Sequence, residues 1–342
     1  MKRAYIFFLV VALISVNQVL GQTPQKHQVE VKKDIVFASP EGFDLTMDIY
    51  TPKTGKQSYP VLVIIHGGGW LINNKSIMDE MSQYVSSHGE YVVANINYRL
   101  LGDQDNTVTI NEIVEDVFGA VLWVKDNIAE YGGDPAKVAV TGDSAGGHLT
   151  EMVVVAGNNL RSHGFSKAPY GFKPSYLPNG KTAEQVAAQG GLEVQAAIPS
   201  YGAFDMLAAA KGGFEKDANF FWQMGGAKAR GLFGNEYNVE ANPDMYKAVS
   251  PIYLIPKAND RKLPPQFFHV GSKDTTTPPV AVKAYFDKLK EAGQQGEYWL
   301  YEGRNHAYLD SGSNEFLGNT FEKDAIEPLN RIITFLDSVF YK

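Results

Sequence analysis

Val140-Thr141-Gly142-Asp143-Ser144-Ala145-Gly146-Gly147 sets a serine in the pattern G-x-S-x-G, behind a short apolar run and ahead of a helix-like segment. Gly142 and Gly146 leave room for a tight strand-to-helix turn, and such a turn projects the Ser144 hydroxyl outward. A hydroxyl held in this way becomes a useful nucleophile when a nearby base takes its proton. Lys137 to Thr141 reads as the strand and Ala145 onward as the helix, so the motif has the context it requires.

Outward from this turn, the chain alternates strand-like and helix-like segments. Pro60 to Ile65 is almost continuously apolar and β-branched, as a strand covered on both faces must be, and Tyr91 to Ile96 repeats the pattern. Glu30 to Phe37 and Asp44 to Tyr50 read as two short strands joined around Ser39-Pro40-Glu41-Gly42, forming an antiparallel edge. Lys75 to Ser87 and Asn111 to Tyr131 read as crossover helices. In the second, Ile113, Val117, Val121, Val124 and Ile128 recur at helical spacing, and Gly132-Gly133-Asp134-Pro135 ends it. Later strands are expected at Val194 to Pro199, Gln266 to Val270 and Glu297 to Tyr301, with helices at Pro278 to Ala292 and Phe321 to Phe340. The alternation predicts an α/β fold with a mostly parallel central sheet flanked by helices.

With 342 residues, 44% hydrophobic and 20% charged, the chain is long enough for a large core and too apolar for disorder. A net charge of -7 offers no basic footprint for nucleic acid or an anionic membrane. Lys2 and Arg3 precede the apolar run Ala4 to Val16, with Gly21 as a small cleavage residue, so residues 1–21 read as a signal peptide. The run is too short to span a bilayer, which predicts no stable membrane insertion after signal removal. Export to the periplasm or the medium follows, as does stability without disulfides, because the chain has no cysteine. Residues 22–342 read as a single catalytic domain with irregular substrate-side insertions, a cap or long loops, within 158–235.

Two further stretches complete the chemistry. His66-Gly67-Gly68-Gly69-Trp70 follows the strand Pro60 to Ile65 and exposes backbone N–H groups, as needed to bind the oxyanion of an acyl-transfer intermediate. Gly68, Gly69 and Ala145 are the oxyanion-hole candidates. Downstream, Gly271-Ser272-Lys273-Asp274 and Asn305-His306-Ala307 each follow a strand, giving the order Ser144, Asp274, His306 of nucleophile, acid and base. His306 is expected to take the Ser144 proton, and Asp274 to hold the His306 tautomer. His66 is read as a rim organiser, His148 and His269 as structural, and Asp143 as a loop hydrogen-bonding residue. His27, His88 and His163 have no site context, and no spacing suggests a zinc site. Aromatic residues of the insertion, Phe220, Phe221 and Trp222 among them, together with Trp70, are candidate substrate contacts beside their ordinary role in packing.

With His66 to Trp70, Asn97-Tyr98-Arg99-Leu100, Gly142 to Gly147, Ser250-Pro251, Gly271 to Asp274 and Asn305 to Ala307, the chain resembles the α/β-hydrolase superfamily. The likeness runs from about Val36 to the C-terminus. It is to microbial esterases related to hormone-sensitive lipase and to exported carbohydrate esterases of gut and soil bacteria. The resemblance implies the same triad and oxyanion hole, no cofactor and no metal. Little chain precedes the first sheet strands, which speaks against a long-chain lipase. It implies a serine carboxylic ester hydrolase of acylated plant polysaccharides, with feruloyl or other hydroxycinnamoyl esters ahead of acetyl esters of xylan. The alternatives are a broad-specificity short-chain carboxylesterase, an exported serine peptidase and an inactive glycan-binding protein. Neither the partner beyond an acylated oligosaccharide or small ester nor the oligomeric state follows from these motifs.

Overall fold

The computed structural model describes residues 26–341; the signal segment expected at residues 1–21 lies outside them. Eight strands form one sheet: β1 (Val29–Ala38), β2 (Leu45–Pro52), β3 (Tyr59–Ile65), β4 (Val92–Ile96), β5 (Gly133–Asp143), β6 (Ala196–Ser200), β7 (Phe267–Gly271) and β8 (Glu297–Tyr301). Their order is β1-β2-β4-β3-β5-β6-β7-β8. The pairs β1·β2 and β2·β4 are antiparallel, and every pair from β4 to β8 is parallel. Strands β3, β4, β6 and β7 are buried at every position, whereas the edge strand β1 is mostly exposed. That is why the central strands read as unbroken apolar runs.

Five helices cover the sheet: α1 (Asp79–His88), α2 (Ile110–Asn127), α3 (Ala145–Ala156), α4 (Pro279–Glu291) and α5 (Ile326–Phe340). The first expected helix opens as a 3-10 turn over Lys75–Met78 before α1, and the last is broken at Ala325, behind a short turn over Phe321–Asp324. At the start of α2 the Glu112 carboxylate accepts the Thr109 N–H at 2.7 Å, satisfying a donor that the helix end leaves free. All twelve residues of α3 are buried, so this helix is packed on every side and Ser144 is carried on its rigid end.

The register of β3 on β5 pairs Ile65 with Gly142, so the glycine-rich turn and the Ser144 turn leave neighbouring strands at the same level. Ser200 pairs with Asp143 and with His269, and Gly271 pairs with Tyr301, which brings the ends of β6, β7 and β8 to that level too. The carboxyl ends of parallel strands therefore carry the turns that hold Gly68, Gly69, Ser144, Asp274 and His306.

The irregular middle of the chain contains the core strand β6 and the short helices Ala183–Ala188, Met206–Lys211 and Phe220–Met224, joined by loops. Buried Arg230 anchors it. Its guanidinium donates to the backbone oxygens of Asn106, Leu101, Val108 and Gly231 at 2.6 to 2.9 Å. Ser250, from the Ser-Pro pair, accepts from Met206 N at 2.8 Å and donates to Tyr246 O at 2.7 Å, fixing the start of the Met206–Lys211 helix.

Candidate active site

Ser144 stands between β5 and α3 with φ 53 and ψ -116, a conformation costly for a residue with a side chain. The strain is held in place from both sides. A Cβ on Gly146 would lie 2.0 Å from Ile65 O, and one on Gly67 would lie 2.4 Å from Asp143 Oδ2. Only glycine lets the two turns approach so closely. Ser144 N also donates to Ser200 O at 3.0 Å, tying the turn to β6.

Ser144, Asp274 and His306, far apart in the chain, come together here. His306 Nε2 lies 2.9 Å from Ser144 Oγ, and His306 Nδ1 lies 2.7 Å from Asp274 Oδ2. Asp274 Oδ1 accepts the N–H groups of Thr276 and Thr277, both at 2.9 Å, so the carboxylate is oriented by its own turn. Asn319 Nδ2 donates to His306 O, and His306 N donates to Asn305 Oδ1 at 2.9 Å, which fixes the backbone carrying the imidazole. Ser144 and His306 each keep 6% of their surface exposed, so the pair is nearly enclosed without being sealed from solvent.

Gly68 and Gly69 lie on the turn after β3, whose end pairs with that of β5, and Ala145 follows Ser144 as the first residue of α3. Among the described residues none accepts their backbone N–H groups, so these donors are free to meet an oxygen anion. The turn rests on the Asn97-Tyr98-Arg99 segment after β4. Tyr98 stacks on His66 at 4.2 Å, and its hydroxyl donates to His66 O at 2.7 Å. Arg99 in turn is buried against Asp116 of α2, with Nε to Oδ2 at 2.7 Å and Nη2 to Oδ1 at 2.9 Å.

The other titratable groups have separate assignments. His66 is buried beneath the turn, off the rim where it was expected, and burial pushes it down to about 4. His148 accepts from Trp70 Nε1 at 3.2 Å on Nδ1, so its Nε2–H donates to Val249 O at 2.8 Å. His269 sits under the site between Ser200 Oγ at 2.8 Å and Tyr308 Oη at 2.6 Å, and burial pushes it down to about 3. All three imidazoles stay neutral and structural. Asp143 is raised to about 6 by burial, opposed by the charge of His306 and by backbone N–H donors.

The four candidate substrate aromatics separate into two pairs. Trp70 and Trp222 are 3% and 1% exposed, and their indole N–H groups are taken by His148 and by Phe214 O. Both pack inside the fold: rings so enclosed offer no face to a substrate. Phe221 lies against the Gly67–Gly69 turn, where a Cβ on Gly69 would meet its ring at 2.6 Å. Phe220, half exposed, lies tilted beside it with ring centroids 4.1 Å apart. Motif reading missed Thr277 and Tyr201, which touch His306. Thr277 Oγ1 lies 3.2 Å from Nδ1, and the Tyr201 ring stands edge-on at 5.0 Å. Only the placement of Thr277 three residues after Asp274, within its turn, pointed to it.

A family model described as BD-FAE matches residues 47–289. Among curated relatives, Esterase LipQ of Mycobacterium tuberculosis is 28% identical over 275 residues, covering 79% of this chain and 55% of LipQ. The Arabidopsis thaliana protein "Probable isoprenylcysteine alpha-carbonyl methylesterase ICMEL1" is 25% identical over 310 residues, 89% of this chain and 56% of its own. The chain thus spans about half the length of these two relatives. Among solved structures, the apo form of Thermogutta terrifontis esterase 2 matches with a TM-score of 0.64 at 20% identity, covering 93% of this chain and 97% of that one. The likeness shows that the fold is that of the α/β-hydrolases.

Proposed function

Because the chain belongs to the BD-FAE family, we propose that it is a serine carboxylic ester hydrolase that works through an acyl-enzyme on Ser144. The observation that carries this reading is His306, whose two ring nitrogens meet Ser144 Oγ at 2.9 Å and Asp274 Oδ2 at 2.7 Å. With the hydrogen on Nδ1 held by Asp274, Nε2 presents a lone pair to the Ser144 hydroxyl. Nε2 takes that proton as Oγ bonds to the ester carbonyl carbon. The carbonyl oxygen becomes an anion facing the N–H groups of Gly68, Gly69 and Ala145. Collapse of the tetrahedral species breaks the bond to the alcohol oxygen, which receives the proton from Nε2 and leaves. Water then repeats the sequence on the acyl-serine: His306 takes its proton, the hydroxide adds, and the acid departs as Ser144 regains its hydrogen. No metal and no organic cofactor enters these steps.

For the acyl group, the reading extends to hydroxycinnamoyl esters, feruloyl in particular, on xylan-type oligosaccharides, with acetyl esters second. Support comes from the Phe220–Phe221 pair beside Gly69, an aromatic face next to the point where the acyl carbonyl binds. The second reading, a short-chain carboxylesterase, is favoured by the same contact, since the Phe221 ring narrows the approach to the turn. The apolar run behind Lys2 and Arg3 supports export. A chain recovered from the periplasm or medium with its N-terminus near Gln22 bears this out, and an intact Met1 in the cytoplasm refutes it.

The test compares wild type and Ser144→Ala on methyl ferulate, acetylated xylan and a short-chain aryl ester. A folded Ser144→Ala is expected to lose at least about 1,000-fold in kcat on all of them. Turnover near wild type overturns the assignment. Higher kcat/KM on ferulate than on the aryl ester supports the aromatic acyl reading, and the reverse supports the short-chain one.

A further inference from the structure

Thr277 belongs to the turn that leaves β7 and is buried. Its Oγ1 lies 3.0 Å from Asp274 Oδ2, 3.2 Å from His306 Nδ1 and 2.8 Å from Tyr201 O. A hydroxyl has one proton and two lone pairs. Two acceptors, Tyr201 O at 2.8 Å and Asp274 Oδ2 at 3.0 Å, share that proton. The lone pairs are left toward His306 Nδ1–H, whose main acceptor is Asp274 Oδ2 at 2.7 Å. Packing alone does not call for this group, since valine has the same shape; what valine removes is the donor to Tyr201 O and Asp274 Oδ2.

The third partner, Tyr201, is itself constrained. It follows β6 with φ 35, a left-handed conformation that disfavours a bulky side chain. Its N–H donates to His269 O at 2.7 Å, and its ring stands edge-on to His306. One hydroxyl thus joins the acid after β7, the base after β8 and the strained turn after β6.

We propose that Thr277 is a positioning residue for the Asp274–His306 pair, its hydroxyl locking the carboxylate oxygen that faces the imidazole. The proposal rests on the acyl-transfer reading of Ser144, His306 and Asp274. Two effects follow. Asp274 receives donors on both oxygens, from Thr276 N and Thr277 N on one and from Thr277 Oγ1 and His306 on the other, so its plane cannot rotate. The hydroxyl also faces His306 Nδ1, so its removal changes the hydrogen bonds that meet the imidazole.

The other titratable groups facing the pair are Asp143 at the end of β5, Tyr201 after β6, and Tyr308 and Asp310 on the loop of His306. Burial keeps both phenols protonated. Thr277→Ser keeps the bond to Tyr201 O and Thr277→Val removes it, so the serine variant is the control for the hydroxyl.

Wild type, Thr277→Val and Thr277→Ser are compared for kcat and KM on p-nitrophenyl acetate across pH, with thermal midpoints to verify folding. Thr277→Val is expected to lose about 10-fold in kcat with KM within about twofold, and to move the acid limb of kcat/KM. Thr277→Ser, which keeps the hydroxyl, is expected to hold kcat within about threefold and to keep the wild-type limb. A folded Thr277→Val with native kcat and an unmoved limb overturns the proposal. So does a Thr277→Ser as impaired as the valine variant, which assigns the effect to the methyl group. If wild type hydrolyses no ester at all, it is the acyl-transfer reading that fails. The low-field proton resonance of His306 Nδ1 then decides on Thr277 independently: displacement in Thr277→Val and not in Thr277→Ser supports it, and no displacement in either refutes it.

Discussion

Replacing Asp274 by asparagine exchanges one oxygen for an NH2 group and preserves the shape of the side chain. In the native site Oδ1 accepts two backbone N–H groups at 2.9 Å, while Oδ2 accepts from His306 Nδ1 at 2.7 Å. An amide NH2 cannot accept, so asparagine keeps its carbonyl toward the two backbone donors and turns NH2 to His306. The opposite orientation leaves two N–H groups near buried NH2 without acceptors, a penalty of about 1–3 kcal/mol for each. Two donors facing each other force the neutral imidazole into the tautomer with hydrogen on Nε2, the atom 2.9 Å from Ser144 Oγ. His306 then has no lone pair for the serine proton and no carboxylate beside its charged form. Other Ser-His-Asp sites in the wrong tautomer lose about 10,000-fold, so we expect a fall in kcat of about 1,000- to 10,000-fold, or about 4–5.5 kcal/mol. Asp274 is 3% exposed and lies behind the imidazole, so KM should stay within about twofold. The assay is steady-state hydrolysis of an aryl ester by wild type and Asp274→Asn, with circular dichroism and thermal melting to confirm the fold. A folded variant that keeps more than about a tenth of the wild-type kcat refutes the tautomer argument.

Asp116→Ala should destabilise the fold by about 3–5 kcal/mol, because it strands the buried Arg99 guanidinium without its bidentate partner. Urea unfolding measures this, and a loss under about 1 kcal/mol contradicts the role given to the pair. Glu151 is fully buried on α3, and burial raises it from its ordinary 4.5 to about 8, opposed by the Tyr285 hydroxyl at 2.6 Å. Between those values the unfolded chain has released a proton that the native state keeps, so stability falls as pH rises through this window and levels off above it. Glu151→Gln should flatten that decline, read as the difference in urea midpoint between about pH 5 and about pH 8; an unchanged slope means Glu151 is not its source. Phe221→Ala should lower kcat/KM for methyl ferulate about 3- to 10-fold more than for an acetyl ester, the range of one aromatic contact. Equal losses on both esters remove Phe221 from acyl recognition.

Where the chemistry is tied to local backbone geometry, it was legible. Gly67 and Gly146 occupy places where no Cβ fits, and Ser144 takes a strained turn, so the glycine-flanked patterns pointed to these positions directly. Strands β3 and β4 were equally plain, because burial on both faces demands unbroken apolar residues. The stretch 158–235 was not, since its short helices are pinned by contacts such as those of Arg230 with the loop at Leu101 and Val108, which leave no periodic trace. Trp70 and Trp222 show the same limit: the side chains that enclose an aromatic ring are set by packing, and composition alone does not reveal them.

By itself, then, the sequence determined the alternation of strands and helices, the two glycine-shaped turns and the order of serine, acid and histidine. The first two depend on dihedral preference or hydrophobic period over a few neighbouring residues, and the third on the motif order expected of this hydrolase class. Tertiary structure alone decided that Ile65 pairs with Gly142, that Phe221 rather than Trp222 borders the Gly67–Gly69 turn, and that Thr277 reaches the Asp274–His306 pair. The reason is physical: these contacts join residues carried by different strands, and sheet register and side-chain packing set their distances only once the whole chain has folded.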